Sequence, residues 1–182
     1  MRPGEAAVQR LIRQAGQLRQ EIGHLHYLRN KPDVPESLVS AYLGFLTVRL
    51  AGFLEEALPL FAEWLIERQS SAHARTFATS FKDQTGNLSS ERLKQYVQRF
   101  SGELADEMES AVLSEGERRT TLNSLVGVRH AVAHGRDYSA SISTFASQCE
   151  AVDALLGFLS SRLVEPDLGY GVVGGLGAAL HE

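Results

Sequence analysis

Hydrophobic residues recur every three or four positions along most of the chain, which is the spacing of one face of an α-helix. The first stripe consists of Val8, Leu11, Ile12, Ala15, Leu18, Ile22, Leu25 and Leu28. It stops where Pro32 and Pro35 follow each other too closely to lie within one helix. We therefore predict a first helix that ends before this break and a second helix that begins near Glu36.

The second predicted helix has the longest apolar stripe of the chain. Its members are Leu38, Tyr42, Phe45, Leu46, Leu50, Phe53, Leu54, Ala57, Phe61, Trp64 and Leu65. Pro59 falls inside this stripe, and we predict a kink there because proline removes a backbone hydrogen bond and crowds the preceding turn. The polar residues that follow favour a short helix over 74–81 and then a loop through Gly86.

Two more helices are predicted in the second half of the chain. Ser89 and Ser90 open a third helix, whose apolar face carries Leu93, Val97, Phe100 and Leu104 and extends towards Met108 and Val112. A break at 114–117 precedes a fourth helix over about 117–133. Gly135 is well placed to end that fourth helix, because glycine is the residue that most often follows a helix.

A fifth helix and a glycine-rich tail complete the chain. The apolar face of the helix consists of Ile142, Phe145, Ala146, Cys149, Val152, Leu156, Leu159 and Leu163. Ser139 or Ser141 can cap its start, and Pro166 ends it. The pattern predicts an all-α fold, an antiparallel bundle of about five main helices over 1–166. The tail, 167–182, is expected to be a mobile terminus or a segment that orders on a partner.

Composition limits the classes of protein that fit this pattern. The chain has 182 residues, of which 43% are hydrophobic and 22% charged, values that are typical of a globular domain. We expect no membrane-spanning segment, and a single cysteine, Cys149, allows no internal disulfide, which fits the cytoplasm. The net charge of −4 argues against a protein that coats nucleic acid generally, although it permits a local phosphate site.

One segment, residues 129–136, concentrates the candidate chemistry. Along the fourth helix the apolar positions Leu122, Leu125 and Val126 are followed, at the same spacing, by Arg129 and His130. His134 and Arg136 come directly after them, at the predicted helix end, where the backbone can turn His134 back towards Arg129. Four potential cations within eight positions attract an anion, and phosphate is the natural candidate.

A structural explanation of the same residues stays open at this point. Cations near a helix C-terminus are stabilised by the helix dipole, and an arginine can bury its stem while its head remains in water. Glu55 and Glu56, inside the second predicted helix, could supply a carboxylate partner for Arg129 within the fold. No zinc-ligand spacing, glycine-rich phosphate loop or serine triad is present, so we expect no metal and no cofactor.

The segment Arg-His-Ala-Val-Ala-His-Gly resembles the signature of the HEPN superfamily, the higher-eukaryote and prokaryote nucleotide-binding domains. That signature is an arginine, a polar residue, three further residues and a histidine, which Arg129, His130 and His134 match position by position. The resemblance extends over residues 36–164, including the acidic pair Glu55 and Glu56. Within the superfamily the chain looks most like the RiboL-PSP-HEPN type.

The resemblance implies a homodimeric α-helical bundle whose two motifs meet in a shared cleft. Active members are metal-independent endoribonucleases, often toxins or antiviral effectors. Carried over, His134 is the general acid or base, Arg129 binds the scissile phosphate, and His130 positions one of these or contacts RNA. Arg136, from the cationic cluster, and Glu55, as a partner of Arg129, are added as substrate-binding or supporting residues. The expected product is a 2′,3′-cyclic phosphate, and an antitoxin or defence-system protein is a possible partner.

One departure from the family changes the expected regulation. Some HEPN toxins carry a tyrosine two residues after the histidine, which a partner nucleotidyltransferase modifies. Here Arg136 takes that place, and Tyr138 lies four residues after His134. Modification by such an antitoxin is therefore not expected.

Three functional hypotheses remain open on the sequence. The first is a homodimeric HEPN ribonuclease, which the match at Arg129, His130 and His134 favours. The second is a HEPN module that binds RNA, a nucleotide or a partner protein without cleavage, which the acidic net charge favours. The third is a purely structural helical domain whose cations only terminate a helix.

Overall fold

The computed structural model describes residues 5–69, 88–134, 136, 141–163 and 175–180. Within these residues it contains six α-helices and no strand, which confirms the predicted all-α fold. The helices are α1 (Glu5–Arg29), α2 (Glu36–Gln69), α3 (Ser90–Gln98), α4 (Gly102–Met108), α5 (Gly116–Ala133) and α6 (Ile142–Leu163). A π-helical turn, Glu109–Leu113, follows α4, and a 3-10 turn, Ala178–Leu180, lies near the C-terminus.

Some predicted features lie outside the described residues. They are the short helix over 74–81 with its loop through Gly86, Gly135 as the end of α5, the position of Tyr138, and Pro166 as the end of α6. Pro59 is described, and it lies inside α2 without ending the helix.

The first two helices form an antiparallel pair. Near the start of α1, Arg10 donates to Glu63 at 2.9 Å, whereas near its end Glu21 accepts from Arg49 at 3.0 Å. As the residue number increases along α1, the residue number of its partner on α2 therefore decreases. The break at residues 30–35 that the two prolines predict is the turn that joins the two helices.

The longest helix, α2, is the centre of the bundle, because it packs against α1, α5 and α6. Its buried apolar residues include Leu43, Leu46, Leu50, Phe53, Leu54, Ala57, Leu58, Phe61 and Trp64. Among the stripe side chains that the structure describes, two are exposed: Leu38 is 50% exposed and Phe45 is 45% exposed. In this first part of α2 the inward positions belong to Leu43 and Leu46, and Phe45 instead stacks on Tyr42 with ring centroids 5.7 Å apart.

By length and composition alone, α2 could also cross a membrane. The stretch from Glu36 to Trp64 contains a window with a mean hydropathy of 1.5, contrary to our expectation that the chain has no such segment. The core helix of a soluble protein meets the same criterion. Because α2 packs against three other helices, its apolar character has a structural explanation within the bundle.

The predicted third helix is divided in two, so the expectation of one continuous helix is wrong. The side chain of Ser89 caps α3 by accepting a hydrogen bond from the backbone N–H of Arg92. The helix ends at Gln98, and Ser101 caps α4 by accepting from the N–H of Leu104 at 3.1 Å. A serine cap followed by glycine, a weak helix former, favours a new start over continuation.

The last two helices agree with the sequence pattern. Helix α5 begins at Gly116, within the break predicted at 114–117, with Glu117 in its first turn. Ser141 caps α6 by accepting from the backbone N–H of Thr144 at 3.0 Å. Phe145 and Cys149 are fully buried on the inner face of α6, as the stripe predicts.

The end of the predicted tail is packed against the bundle. Leu176 is 0% exposed, and Ala179 and Leu180 are buried with it in the core, where the 3-10 turn contacts α1. Gly175 enters this turn with φ of +87°, a conformation that side chains other than glycine rarely adopt. The predicted division assigned 167–182 to a tail separate from the 1–166 domain, yet 175–180 are part of the same core.

Leu176 gives a direct test of this packing. We expect Leu176→Ala to lower the free energy of unfolding by about 2–5 kcal/mol, because it removes buried apolar atoms and leaves a cavity. The exposed Leu38 is the matched control, and Leu38→Ala should change that free energy by no more than about 0.5 kcal/mol. Chemical denaturation measures both values. Equal effects of the two substitutions would show that the C-terminal turn is not packed as described.

A carboxylate of α6 holds the same C-terminal turn. Asp153 Oδ2 accepts the backbone N–H of Gly177 at 3.0 Å. Burial raises the pKa of Asp153, an effect that outweighs the opposite influence of the backbone donors at 175–177 and of Arg19. The folded protein therefore binds a proton at Asp153 more readily than the unfolded chain does.

This shift predicts the sign of a pH effect on stability. A raised folded-state pKa means that the contribution of Asp153 is most favourable in acid and is lost as pH rises from about 3.8 through the folded pKa. We expect the stability of wild type relative to Asp153→Asn to decrease as pH rises through this window. Denaturation curves of both proteins at several pH values measure the difference. A difference that is constant with pH would contradict this assignment.

Candidate functional site

The C-terminal end of α5 carries the cationic cluster. Leu122, Leu125 and Val128 anchor the helix in the core. Beyond them the backbone N–H of His134 donates to the carbonyl of His130 at 3.1 Å, and the N–H of Arg136 donates to the carbonyl of Ala131 at 2.9 Å. These bonds wind the chain tightly at the helix end. The side chains of His130, His134 and Arg136 are all exposed there.

Arg129 points into the fold and pairs with Glu55 of α2. Its Nη1 donates to Glu55 Oε1, and the two side chains are 33% and 14% exposed, respectively. The sequence offered Glu55 or Glu56 as this partner, and the structure selects Glu55. The ion pair fixes the guanidinium against α2 and leaves part of it accessible to solvent.

The two histidines of the motif contact each other. They lie one helical turn apart, and their ring centroids are 4.3 Å apart with an interplanar angle of 67°. We expected the helix end to turn His134 back towards Arg129. In the described part of the chain, the ring contact of His134 is instead with His130, and the guanidinium contact of Arg129 is with Glu55.

The electrostatics of this helix end favour the cations and not an anion. The last carbonyl groups of a helix carry partial negative charge, which stabilises nearby arginine and histidine side chains. The same partial charge repels a phosphate. An anion at this site must therefore be bound by the side chains of Arg129, His130, His134 and Arg136, and not by the helix terminus.

Glu55 also lines an open groove between α1 and α2. It has a volume of about 290 Å³ and is lined by Arg10, Gln14, Glu55, Glu56, Pro59, Leu60 and Glu63. Glu56 accepts from the amide of Gln14, and Glu63 accepts from Arg10. The contribution of α1 was absent from the sequence-based site. The sequence feature that could have indicated this contribution is the pair Arg10 and Gln14, polar residues one turn apart beside the apolar stripe.

The structure thus brings four of the five predicted site residues into two contacts, which involve adjacent residues of α5. Arg129 joins Glu55, and His130 joins His134, while Arg136 is exposed beside them. Both contacts start from adjacent positions of α5. These observations define the class of protein. It is a helical bundle that carries an arginine–carboxylate pair and two exposed imidazoles at the end of one helix.

Comparison with known proteins gives the family. Residues 16–161 match the family model described as RiboL-PSP-HEPN, and the chain therefore belongs to this HEPN family. No curated protein and no solved structure matches the chain. The matched region contains Glu55 and the whole 129–136 segment, whereas Arg10, Gln14 and the buried C-terminal turn lie outside it.

A double-mutant cycle measures how strongly the site is tied to the fold. We expect a coupling free energy of about 1 kcal/mol between Glu55→Ala and Arg129→Ala, because the pair is partly buried. The cycle subtracts the other interactions of each side chain. The more exposed pair of Glu21 and Arg49 is the control, with an expected coupling of at most about 0.5 kcal/mol. Urea denaturation of the single and double variants provides the values, and additive effects at Glu55 and Arg129 would contradict the described ion pair.

Proposed function

We propose that this protein is a metal-independent endoribonuclease. In the proposed reaction the 2′-oxygen of a ribose attacks the adjacent phosphorus, the bond from phosphorus to the 5′-oxygen breaks, and a 2′,3′-cyclic phosphate and a 5′-hydroxyl result. The observation that carries this proposal is the placement of Arg129 with two exposed imidazoles at one helix end, within the region matched to the HEPN family.

Arg129 is suited to bind the scissile phosphate. A guanidinium has five N–H donors in a planar fork, and Glu55 accepts a hydrogen bond from Nη1. The donors that Glu55 does not use are the ones proposed to bind the non-bridging phosphate oxygens, and the side chain is 33% exposed. Because Glu55 already orients the guanidinium, little reorganisation is needed when negative charge develops on those oxygens in the transition state.

His134 is the proposed general acid or base. Imidazole exchanges protons near neutral pH, so it can take the proton of the 2′-hydroxyl or give a proton to the departing 5′-oxygen. His130 touches His134 edge to face and holds the orientation of its ring. Arg136, two residues after His134, is exposed and can contact a neighbouring phosphate.

The geometry of in-line attack supports a homodimer. The attacking and leaving oxygens lie on opposite sides of the phosphorus, so proton transfer is needed on both sides. His130 and His134 are in ring contact, with centroids 4.3 Å apart, which leaves no room for a phosphate between them. The histidines at one end of α5 can therefore transfer a proton on only one side of the phosphate. A second copy of the chain facing the first would supply a histidine for the other side.

The proposed biological role follows from the family and not from the geometry. Active HEPN ribonucleases are often toxins or antiviral effectors. We propose such a role in the cytoplasm for this protein, with an antitoxin or defence-system protein as partner. Arg136 stands where a modified tyrosine is found in some HEPN toxins. An antitoxin that acts by modification of that tyrosine does not fit this chain.

A non-catalytic binding module is the second candidate, and one observation favours it. Glu55 offsets the charge of Arg129, and the helix end adds partial negative charge. A site arranged in this way attracts a phosphate less strongly than an unpaired arginine does. Under this alternative, the 129–136 segment binds RNA, a nucleotide or a partner protein without bond cleavage.

Cleavage of labelled RNA in the presence of EDTA tests the proposal. We expect wild type to produce 2′,3′-cyclic phosphate ends, and we expect His134→Ala to lower the rate by a factor of about 100 or more, the usual contribution of a general acid or base. His26→Ala is the matched control, because His26 lies on α1 and bonds Asn30. That control should retain the wild-type rate.

Two results would contradict the proposal. Cleavage that is unchanged in His134→Ala would remove His134 from the chemistry. Tight binding of RNA by wild type with no cleavage products would support the binding module instead.

A further inference from the structure

The outer face of α1 carries an unbroken line of exposed polar side chains. They are spaced alternately by four and three residues, the repeat of one helix face, and continue one step past the helix end. The line consists of Arg13, Gln17, Gln20, His24, Tyr27 and Lys31. All six residues are exposed. We refer to this set as the α1 stripe.

The α1 stripe lies in the basic part of an acidic chain. The first 31 residues contain six basic and two acidic residues, whereas the remaining residues contain twelve basic and twenty acidic ones. The net charge of −4 therefore conceals a positively charged N-terminal region. The stripe itself contains no carboxylate. Glu21, which lies beside it, is bonded by both carboxylate oxygens to Arg49 at 3.0 and 3.2 Å.

The two full cations of the stripe are available to an anion. Neither Arg13 nor Lys31 forms an ion pair within the described part of the chain, whereas Arg10 on the neighbouring face is bonded to Glu63. Lys31 Nζ lies 4.4 Å from the ring centroid of Tyr27. The cations are thus placed at the two ends of the stripe, with amide side chains between them.

Tyr27 provides an accessible aromatic surface at one end. The residue is 58% exposed, and the ammonium group of Lys31 covers one face of its ring. A ring exposed to this extent can stack on a partner such as a nucleobase. His24, one turn away, offers a second exposed ring. From Arg13 to Tyr27 the helix rises about 21 Å, which several extended nucleotides would span.

We infer that the α1 stripe binds single-stranded RNA without sequence preference. Separated cations for phosphates, amides for sugars and phosphates, and an open aromatic ring for a base are the combination that such proteins use. An anionic membrane surface attracts dense clusters of basic residues, and this stripe has two full cations among amides. The inference rests on the proposed function for the choice of RNA as the nucleic acid.

The stripe lies on the face of α1 next to the groove that Glu55 lines. Arg10 and Gln14, which flank Arg13 on α1, line the same groove as Glu55, and Glu55 holds Arg129. A strand whose phosphate is bound at Arg129 can therefore cross α1 near Arg13 and continue along the stripe to Tyr27. The acidic residues of the groove itself direct the phosphates to the outer face of the helix.

Fluorescence anisotropy with a labelled, unstructured RNA of about 16 nucleotides tests this surface, in the His134→Ala protein so that the RNA stays intact. The double variant Arg13→Gln/Lys31→Gln should bind more weakly, on the order of tenfold at about 0.1 M salt. Its plot of log affinity against log salt should be shallower by about 1.4, which corresponds to two lost contacts with a single strand. Tyr27→Ala should weaken binding at least about fivefold, while Tyr27→Phe should not.

Arg119→Gln/Arg162→Gln is the matched control, since it removes the same charge from two exposed arginines on α5 and α6 that pair with glutamates. The control should retain nearly all affinity. Equal losses in the two double variants would overturn the inference, as would unchanged RNA binding in the stripe variant. Loss of binding to phosphatidylserine vesicles with unchanged RNA binding would assign the stripe to a lipid surface instead.

The outcomes for the two proposals are distinguishable. If wild type cleaves no RNA but the stripe variant loses RNA affinity, the proposed catalysis is wrong and the inference that the α1 stripe binds RNA is supported. If wild type cleaves RNA and the stripe variant binds RNA as tightly as the His134→Ala protein, the RNA-binding inference is wrong and the proposed catalysis is supported.

Discussion

The packing of α5 against α2 is the constraint on which both the fold and the candidate site depend. The apolar residues of α2 are buried between α1, α5 and α6, and this burial fixes where the end of α5 lies. Glu55 stands among those apolar residues, so the packing delivers its carboxylate to Arg129. A charged pair at this depth is maintained because removal of either partner would leave the other charge partly buried and uncompensated. The remainder of the site follows directly, with His130 as the next residue of α5 and His134 immediately after the helix end.

Helical periodicity, with the breaks in it, was sufficient to predict the all-α fold and the starts of α2 and α5, and it left the cap of α6 open between Ser139 and Ser141. It was not sufficient where local chemistry competes with the pattern. The apolar spacing from Leu93 to Leu104 continues across Ser101 and Gly102, yet a new helix starts there because the serine side chain supplies a cap. Leu38 and Phe45 match the stripe of α2 by spacing, but Leu43 and Leu46 occupy the inward positions. Spacing alone does not distinguish two apolar faces of one helix.

The candidate site shows the same limit. The 129–136 segment could be recognised from residue order, because its residues are close in sequence. Glu55 and Glu56 were both predicted as the carboxylate partner of Arg129. Neighbouring positions on a helix point in different directions, and the sequence does not show which of the two faces α5. The groove formed with Arg10 and Gln14 depends on the antiparallel pairing of α1 and α2, which no local pattern specifies. The buried C-terminal turn was missed because its apolar residues, such as Leu176, lie among glycines.

The central claim is that the end of α5 is half of an active site. Co-refolding of wild type with the His134→Ala variant, followed by measurement of RNA cleavage at fixed total protein, tests it most directly. If each site needs His134 from two copies, equal amounts of the two proteins should retain about a quarter of the wild-type activity, the fraction of dimers with two intact chains. Retention of about half of the activity, in proportion to the wild-type protein, would show that each chain acts alone and would contradict the account.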